Sequence, residues 1–429
     1  MNSIYFEPPD HWTRTPIKAL VDGPDNGAWG DEPGLGDIDV VCARVADFEW
    51  EHLTVNLSNP TIRSIKRNQF NRLALRNGDL LIEKSGGGEK TPVGRVVAFS
   101  GDVDAITSNF VARMRPKPGF SPDFLKYLFA AHYLSGFTYQ FIKQATGIQN
   151  LDDKPLMQVV AWVPDPENQD TIARFLDCET GLIDGLIEKK TRFIALLKEK
   201  RAAVITHAVT KGIDRDAPMK DSGQDWLGRV PVHWDVVPAT ALFTVSGERA
   251  REGDQMLSAT QKYGVIPLAE YEALEQRQVT MAVVNLDMRK HVELGDFVIS
   301  MRSMDGGLER ARAVGSVRSS YSVLKPGPDV EGRFYGALMK SSLYIQALRL
   351  TSNFIRDGQD LNFGHVRKVK LPKPDLREQA AIADHIEAET TRIDGLITLT
   401  ERSIELLREK RSALITAAVT GKIDVRAAA

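Results

Sequence analysis

The residues best suited to chemistry are a glycine-rich segment, Gly86-Gly-Gly-Glu-Lys-Thr91, eight histidines, two cysteines and scattered carboxylates. A Walker loop that cradles phosphate needs a glycine directly before its lysine, and Glu89 holds that position here, so the segment reads as a polar surface loop. His11, His52, His132, His207, His233, His291, His365 and His385 fall at no metal-ligand spacing on one face, which argues against a zinc or metal-hydrolase site. His11 and His233 each precede a tryptophan and read as packed or hydrogen-bonded beside it. Cys42 and Cys178 stand in unrelated contexts, read as buried or inert thiols, and offer neither a disulfide framework nor a metal cluster. Asp165 with the distant Glu188 resembles a nuclease carboxylate set only weakly, because Glu188-Lys-Lys190 lies on a solvated helix face. No glycine turn of dinucleotide-binding type follows a strand, and no Asn/Asp-Pro-Pro-Tyr/Phe element of adenine methyltransferases occurs. The residues predict a chain with no catalytic group, no metal and no cofactor of its own.

The elements around these residues carry more information. A length of 429 residues favours two to four domains. No stretch approaches the roughly 20 apolar residues of a membrane span, and residues 1–10 lack the basic and apolar regions of a leader, so a soluble, cytoplasmic protein without membrane contact is expected. A net charge of -2 excludes indiscriminate coating of nucleic acid and confines any such contact to a local basic surface.

One segment occurs twice at an offset of 210 residues, from Gln169 to Gln379. The first copy includes Ile183-Asp-Gly-Leu-Ile187, Leu196-Leu-Lys-Glu-Lys-Arg201 and Ala208-Val-Thr210, and the second Ile393-Asp-Gly-Leu-Ile397, Leu406-Leu-Arg-Glu-Lys-Arg411 and Ala418-Val-Thr420. Apolar residues recur every three or four positions: Ile172, Leu176, Ile183, Leu186, Ile187, Ile194 and Leu197, matched by Ile382, Ile386, Ile393, Leu396, Ile397, Ile404 and Leu407. That period predicts two helices of some forty residues, each about 60 Å long, whose stripes partner one another, with two independently docked helices as the alternative. Pro164-Asp-Pro166 and Pro372-Lys-Pro374 mark the starts. Gly185 and Gly395 interrupt both stripes, and close helix approach is the expected reason, a tolerated weak spot the alternative.

Weaker matches order the segments outside the helices. His11-Trp12 and His233-Trp234 open them; Gly78-Asp79-Leu-Leu-Ile82 and Gly295-Asp296-Phe-Val-Ile299 predict a turn into a buried strand. Polar loops follow at Lys84-Ser-Gly-Gly-Gly88 and Arg302-Ser-Met-Asp-Gly-Gly307, then strand starts at Val93-Gly-Arg-Val96 and Val314-Gly-Ser-Val317, and finally Gly147-Ile-Gln-Asn-Leu151 and Gly358-Gln-Asp-Leu-Asn362.

On these residues the chain resembles the specificity subunits of Type I restriction-modification systems, over essentially its whole length. Pro372-Lys-Pro-Asp-Leu-Arg-Glu-Gln379 and the duplicated helical runs are the most specific elements. The first copy, Pro164-Asp-Pro-Glu-Asn-Gln169, is shorter and lacks the Glu-Gln pair. The resemblance implies an α+β or α/β fold: two target-recognition domains, at 1–163 and 215–371, and two helical regions, at 164–214 and 372–429, forming an antiparallel coiled-coil spacer with pseudo-twofold symmetry. It implies a non-catalytic subunit that reads a bipartite, asymmetric site in double-stranded DNA and docks two methyltransferase subunits and restriction (translocase) subunits. S-adenosylmethionine, ATP and magnesium would belong to those partners. Helix length should then set the unread spacer.

Polar and basic side chains are needed for base and phosphate contact. The residues chosen are Arg63, Lys66, Arg67, Lys84 and Lys90 in the first domain, and Lys262, Tyr263, Arg302, Arg310 and Arg312 in the second. For subunit docking they are Glu199, Lys200 and Arg201, with Glu409, Lys410 and Arg411. For every charge the alternative is a solvated surface residue. A stand-alone two-module DNA-binding or adaptor protein is the rival reading.

Overall fold

In the computed structural model the described residues are 9–89, 91–145, 147–279, 288–300, 303–351 and 363–427. The chain divides into two compact units, Met1–Thr191 with Glu401–Ala429, and Arg192–Thr400. The division cuts two long helices, Pro166–Lys211 and Leu376–Val419, so each unit owns part of both.

The helices start alike. Asp165 and Asp375 stand just before them, and their carboxylates accept from the Asn168 and Glu378 backbone N–H at 3.0 and 2.8 Å, satisfying donors that a helix start leaves open. The two copies therefore align at this aspartate and at the proline before it, Pro164 and Pro374, whereas Pro166 and Pro372 have no counterpart. Four residues on, Gln169 and Gln379 are buried. Each donates to the carbonyl that precedes its cap (Pro164, Pro374) and accepts from a backbone N–H of the adjoining globule (Ser121, Glu331).

Unit 1 is built on a six-stranded sheet in the order Val21–Asn26, Val111–Pro116, Leu80–Glu83, Val96–Ala98, Thr54–Val55, Phe48–Glu49. Its central strands are apolar on both faces, as strands covered twice must be. Leu80, Ile82, Val96, Ala112 and Met114 face a core completed by the helix Pro122–Leu134, by Ile172 and Leu176 of the first long helix, and by Ile415, Ala418 and Val419 of the second. Leu81, Val97 and Val111 face the other way into a second core with Val41, Val55 and Phe99.

Unit 2 repeats this plan in its four-stranded sheet, ordered Phe243–Ser246, Ser322–Pro326, Phe297–Ile299, Glu309–Arg310. Phe297, Ile299 and Leu324 join the core that contains Ala208, Val209, Ile382 and Ile386, while Val298 and Val323 belong to the opposite one. The Gly-Asp turns precede equivalent strands. Gly78 and Gly295 have φ of 86° and 91°, a region open to glycine, and Asp79 and Asp296 accept from backbone N–H groups three residues back, at Arg76 and Glu293. The next sequence match is overturned: the strand equivalent to Val96–Ala98 is Glu309–Arg310, whereas Gly315–Val317 pairs with Lys290–Val292 in another sheet. A Val-Gly-x-Val run is too short to fix register.

In each unit the strand after the His-Trp pair runs antiparallel to the strand that feeds a long helix, Thr13–Pro16 with Val160–Val163 and Asp235–Pro238 with Lys370–Lys373. Trp12 and Trp234 are buried beside Gly421 and Gly212, at the far end of the other helix copy. Trp234 Nε1 donates to Glu378 at 2.9 Å, and His233 Nε2 meets the same carboxylate at 2.8 Å.

Within each unit the helix segments run antiparallel. The seam follows a seven-residue repeat, Ile183, Ile187, Lys190, Ile194, Leu197, Arg201 and Ile393, Ile397, Thr400, Ile404, Leu407, Arg411, the signature of a coiled coil. Leu186 and Leu396, read from sequence as stripe residues, are exposed instead, at positions off this seam. The glycine expectation is also corrected: a Cβ on Gly185 or Gly395 would meet nothing within 4 Å, so no close helix approach explains them. Among the described residues no helix is long and apolar enough to cross a membrane.

Candidate nucleic-acid interface

In unit 1 the polar loop and the Gly147–Leu151 motif, far apart in sequence, lie in one small sheet, with Ile148–Leu151 between Ile142–Ala145 and Ser85–Gly86. Ser85 Oγ donates to Asn150 Oδ1 at 2.6 Å, and Gln149 Oε1 accepts from the Val93 N–H. Lys84 is not free at this surface. Its Nζ donates to Asn26 Oδ1 at 2.9 Å and Asp153 Oδ2 at 2.7 Å, so it ties the loop to its surroundings.

Arg63 is also engaged. Its guanidinium lies 4.3 Å from the Trp29 ring centroid and bonds Glu32, a stacked and ion-paired arrangement suited to arginine. Lys66 and Arg67, by contrast, are exposed at the start of the helix Arg67–Leu73, and neither side chain has a carboxylate partner among the described residues.

In unit 2 Lys262 and Tyr263 form a surface pair, with Lys262 Nζ 4.7 Å from the ring centroid and both groups reaching Glu275. Arg310 is packed inward: a Cβ on Gly332 would come within 2.7 Å of its Nε, a buried atom with no hydrogen-bond partner in the structure. Arg312 is exposed. Lys90, Arg302 and the Gly358–Asn362 motif lie outside the described residues.

The docking candidates divide the same way. Glu199, Lys200, Glu409 and Lys410 are exposed, whereas Arg201 and Arg411 each reach an aspartate of the other helix. Arg201 Nε donates to Asp394 at 2.9 Å in unit 2, and Arg411 Nε meets Asp184 at 3.0 Å in unit 1, with a further bond to the Glu51 carbonyl. These are the same two sequence positions exchanged between the copies. Each helix also leaves leucines uncovered, Leu182, Leu186 and Leu196 on the first and Leu396, Leu399 and Leu406 on the second.

The sequence reading missed every acidic partner: Glu32, Asp153, Asp184, Glu275 and Asp394. Only Asp184 and Asp394 left a signal, since the Ile-Asp-Gly-Leu-Ile run repeats with its aspartate. Among the described residues no three His, Cys, Asp or Glu side chains are placed to hold a metal ion. Burial pushes the Cys42 thiol up to about 11, an inert setting, whereas Cys178 is exposed on the first long helix.

No family model matches the chain. A curated protein of Methanocaldococcus jannaschii, provisionally named type I restriction enzyme MjaX specificity subunit, is 22% identical over 386 residues, covering 85% of this chain and 83% of that one. Among solved structures, the HsdS subunit of Thermoanaerobacter tengcongensis matches with a TM-score of 0.55 at 14% identity, covering 97% of this chain and 99% of its own. A chain from a structure described as the basis of complex assembly and conformational transition of the type I R-M system matches with a TM-score of 0.67 at 15% identity, covering 97% of this chain and 100% of its own. The structures share the fold, and the curated relative shares sequence over most of the chain. With two sheet units of one strand order and two copies of one long helix, the chain has the fold of the solved HsdS subunit and is similar over most of its length to a curated Type I restriction enzyme specificity subunit.

Proposed function

We propose that the chain is the sequence-reading subunit of a Type I restriction-modification complex, contacting one half-site of a bipartite DNA site with each unit. The observation that carries this reading is a contrast within the duplication. The helix caps, buried glutamines and inter-helix ion pairs repeat from one unit to the other. The globules differ where they can be matched: a helix, Arg67–Leu73, precedes the Gly78 turn in unit 1, whereas a strand, Lys290–Val292, precedes the Gly295 turn in unit 2. A shared frame with unlike surfaces suits two different half-sites, hence an asymmetric site.

Two exposed leucines of each helix, Leu186 with Leu396 and Leu196 with Leu406, and the Glu-Lys pairs repeat with the helices, which suits two copies of one partner. We assign that role to methyltransferase subunits, with restriction (translocase) subunits completing the complex. S-adenosylmethionine, ATP and magnesium are then used by the partners, and the chain itself performs no chemistry. Genome-wide adenine methylation of the host, with this gene present and deleted, tests the reading. Loss of one bipartite, asymmetric motif is the expected result; an unchanged methylome with the methyltransferase expressed removes it.

A further inference from the structure

Several cations of unit 2 meet carboxylates, Arg251, Lys325, Arg333 and Lys340 among them, but one group of neighbouring cations does not. Arg249 and Lys290 face each other across an isolated antiparallel bridge, and Lys290 pairs in register with Val317 of the strand that Arg318 follows. Arg289 donates to Ser316 Oγ at 3.0 Å and to the Ser316 carbonyl, Lys290 Nζ to the Tyr321 carbonyl, and Arg249 Nη1 to the Met288 carbonyl at 2.8 Å. These three side chains bond neutral oxygens, and neither they nor Arg318 have a carboxylate within ion-pair distance among the described residues. The acids nearby are already taken: Glu248 binds Arg251 and Lys325, and Glu293 binds Arg251 and His291.

Converging cations without acids repel one another, and burial followed by the neighbouring charge of Arg318 or Arg249 holds Arg289 and Lys290 below their ordinary values. In a chain of net charge -2 such a cluster is against the overall balance. A polyanion laid across it relieves the repulsion and releases its own counterions.

The place in the fold adds a second, independent observation. Arg289 stands six residues before Gly295 of the Gly-Asp turn, as Arg72 stands six before Gly78 in unit 1. There the preceding stretch is the helix Arg67–Leu73, and Lys66, Arg67 and Arg72 are exposed without carboxylate partners among the described residues. Two segments unlike in sequence and in secondary structure both carry cations shortly before the Gly-Asp turn.

We propose that Arg249, Arg289, Lys290 and Arg318 form the site at which unit 2 holds the phosphate backbone of double-stranded DNA. The inference rests on the DNA-reading function and specifies where its sequence-independent part resides, a place distinct from Lys262, Arg310 and Arg312. Phosphate contacts fix register and orientation, so the base-reading groups of unit 2 would be those within reach of a duplex seated here.

The test is the salt dependence of binding by the full chain to a fluorescent duplex of arbitrary sequence, measured by anisotropy. The double variant Arg249→Gln/Arg318→Gln changes two exposed residues, and circular dichroism checks that it folds. Each lost phosphate contact lowers the slope of log affinity against log salt by about 0.9, so the double variant should bind with a slope about 2 smaller. A control of equal charge change elsewhere in unit 2, Lys220→Gln/Lys373→Gln, should keep the original slope. Equal slopes for the double variant and the original chain overturn the patch and leave the DNA reading standing. An equal fall in the control shows a net-charge effect and overturns it as well. Failure of the unaltered chain to bind any duplex at low salt removes the DNA reading itself, and the patch with it.

Discussion

At the scale of single residues, the most heavily constrained charge is His291. Its side chain is 1% exposed, and its ring nitrogens meet Asp254 at 2.8 Å and Glu293 at 2.9 Å. Burial is the largest influence and pulls the imidazole down, but the two carboxylates together outweigh it and leave the group above its ordinary 6.5. Arg251 opposes them weakly through space, and Asp296 is itself pushed up by burial. A folded value above the unfolded one means that the protonated form is stabilised by folding. That contribution is complete below pH 6.5 and is lost as pH rises through the folded value. Asp254 and Glu293 are held low, so theirs is lost only as pH falls below the ordinary carboxylate range. His291→Gln should therefore lower the stability of unit 2 by about 2 kcal/mol at pH 6 and by less at pH 9, where the imidazole is already neutral. Thermal unfolding at the two pH values checks this, and a loss that grows with pH would refute the assignment. Neither this cluster nor the engagement of Arg63 and Lys84 was legible in the sequence. A sequence displays cations, whereas the acid or ring that occupies each one comes from a distant strand, as Asp153 does for Lys84.

At the scale of elements, the long helices were legible because a stripe repeated over some forty residues leaves no competing period. What the sequence could not settle was which apolar residues the seam includes. Spacings of three and four admit Leu186 as readily as Ile187, and only the seven-residue phase set by Ile183, Ile194 and Leu197 excludes it. The seam also contains charge. Arg411 and Asp184 are 13% and 15% exposed, while Arg201 and Asp394 are 40% and 51% exposed. Duplication has thus placed one ion pair in two surroundings of different water access. Removing one partner of a covered pair strands the other, whereas a solvated pair contributes about 1 kcal/mol or less. Arg411→Ala should destabilise unit 1 by about 3 kcal/mol, and Arg201→Ala should cost unit 2 less than about 1 kcal/mol. Hydrogen exchange in the flanking helix segments of each unit separates the two effects. Equal losses would mean that the exposure difference has no energetic consequence. The loss in Arg411→Ala should also shrink in an Asp184→Ala background, because no carboxylate is then left uncompensated.

At the scale of the whole molecule, the duplication makes a prediction that neither unit makes alone. Each long helix is continuous and supplies segments to both units. If each unit reads its own half-site, the helices are the elements whose length is coupled to the number of base pairs left unread. Four residues inserted into each helix, between Thr191 and Arg192 and between Thr400 and Glu401, add about 6 Å of helix, close to two base pairs at about 3.4 Å per step. Four residues also turn the chain by only about 40° beyond a full turn, so the seam is locally unwound but not broken. The residues of both globules, including Lys66, Arg67 and the Arg249–Arg318 group, stay as they were. The methylome of a host carrying the lengthened chain should therefore show both original half-sites separated by about two more base pairs. Altered half-sites at the original spacing would mean that the helices do not measure the spacer and that base choice depends on how they pack. Complete loss of methylation, with the lengthened chain folded and expressed, would place the effect of the insertion on the partner subunits that dock along the repeated helix faces.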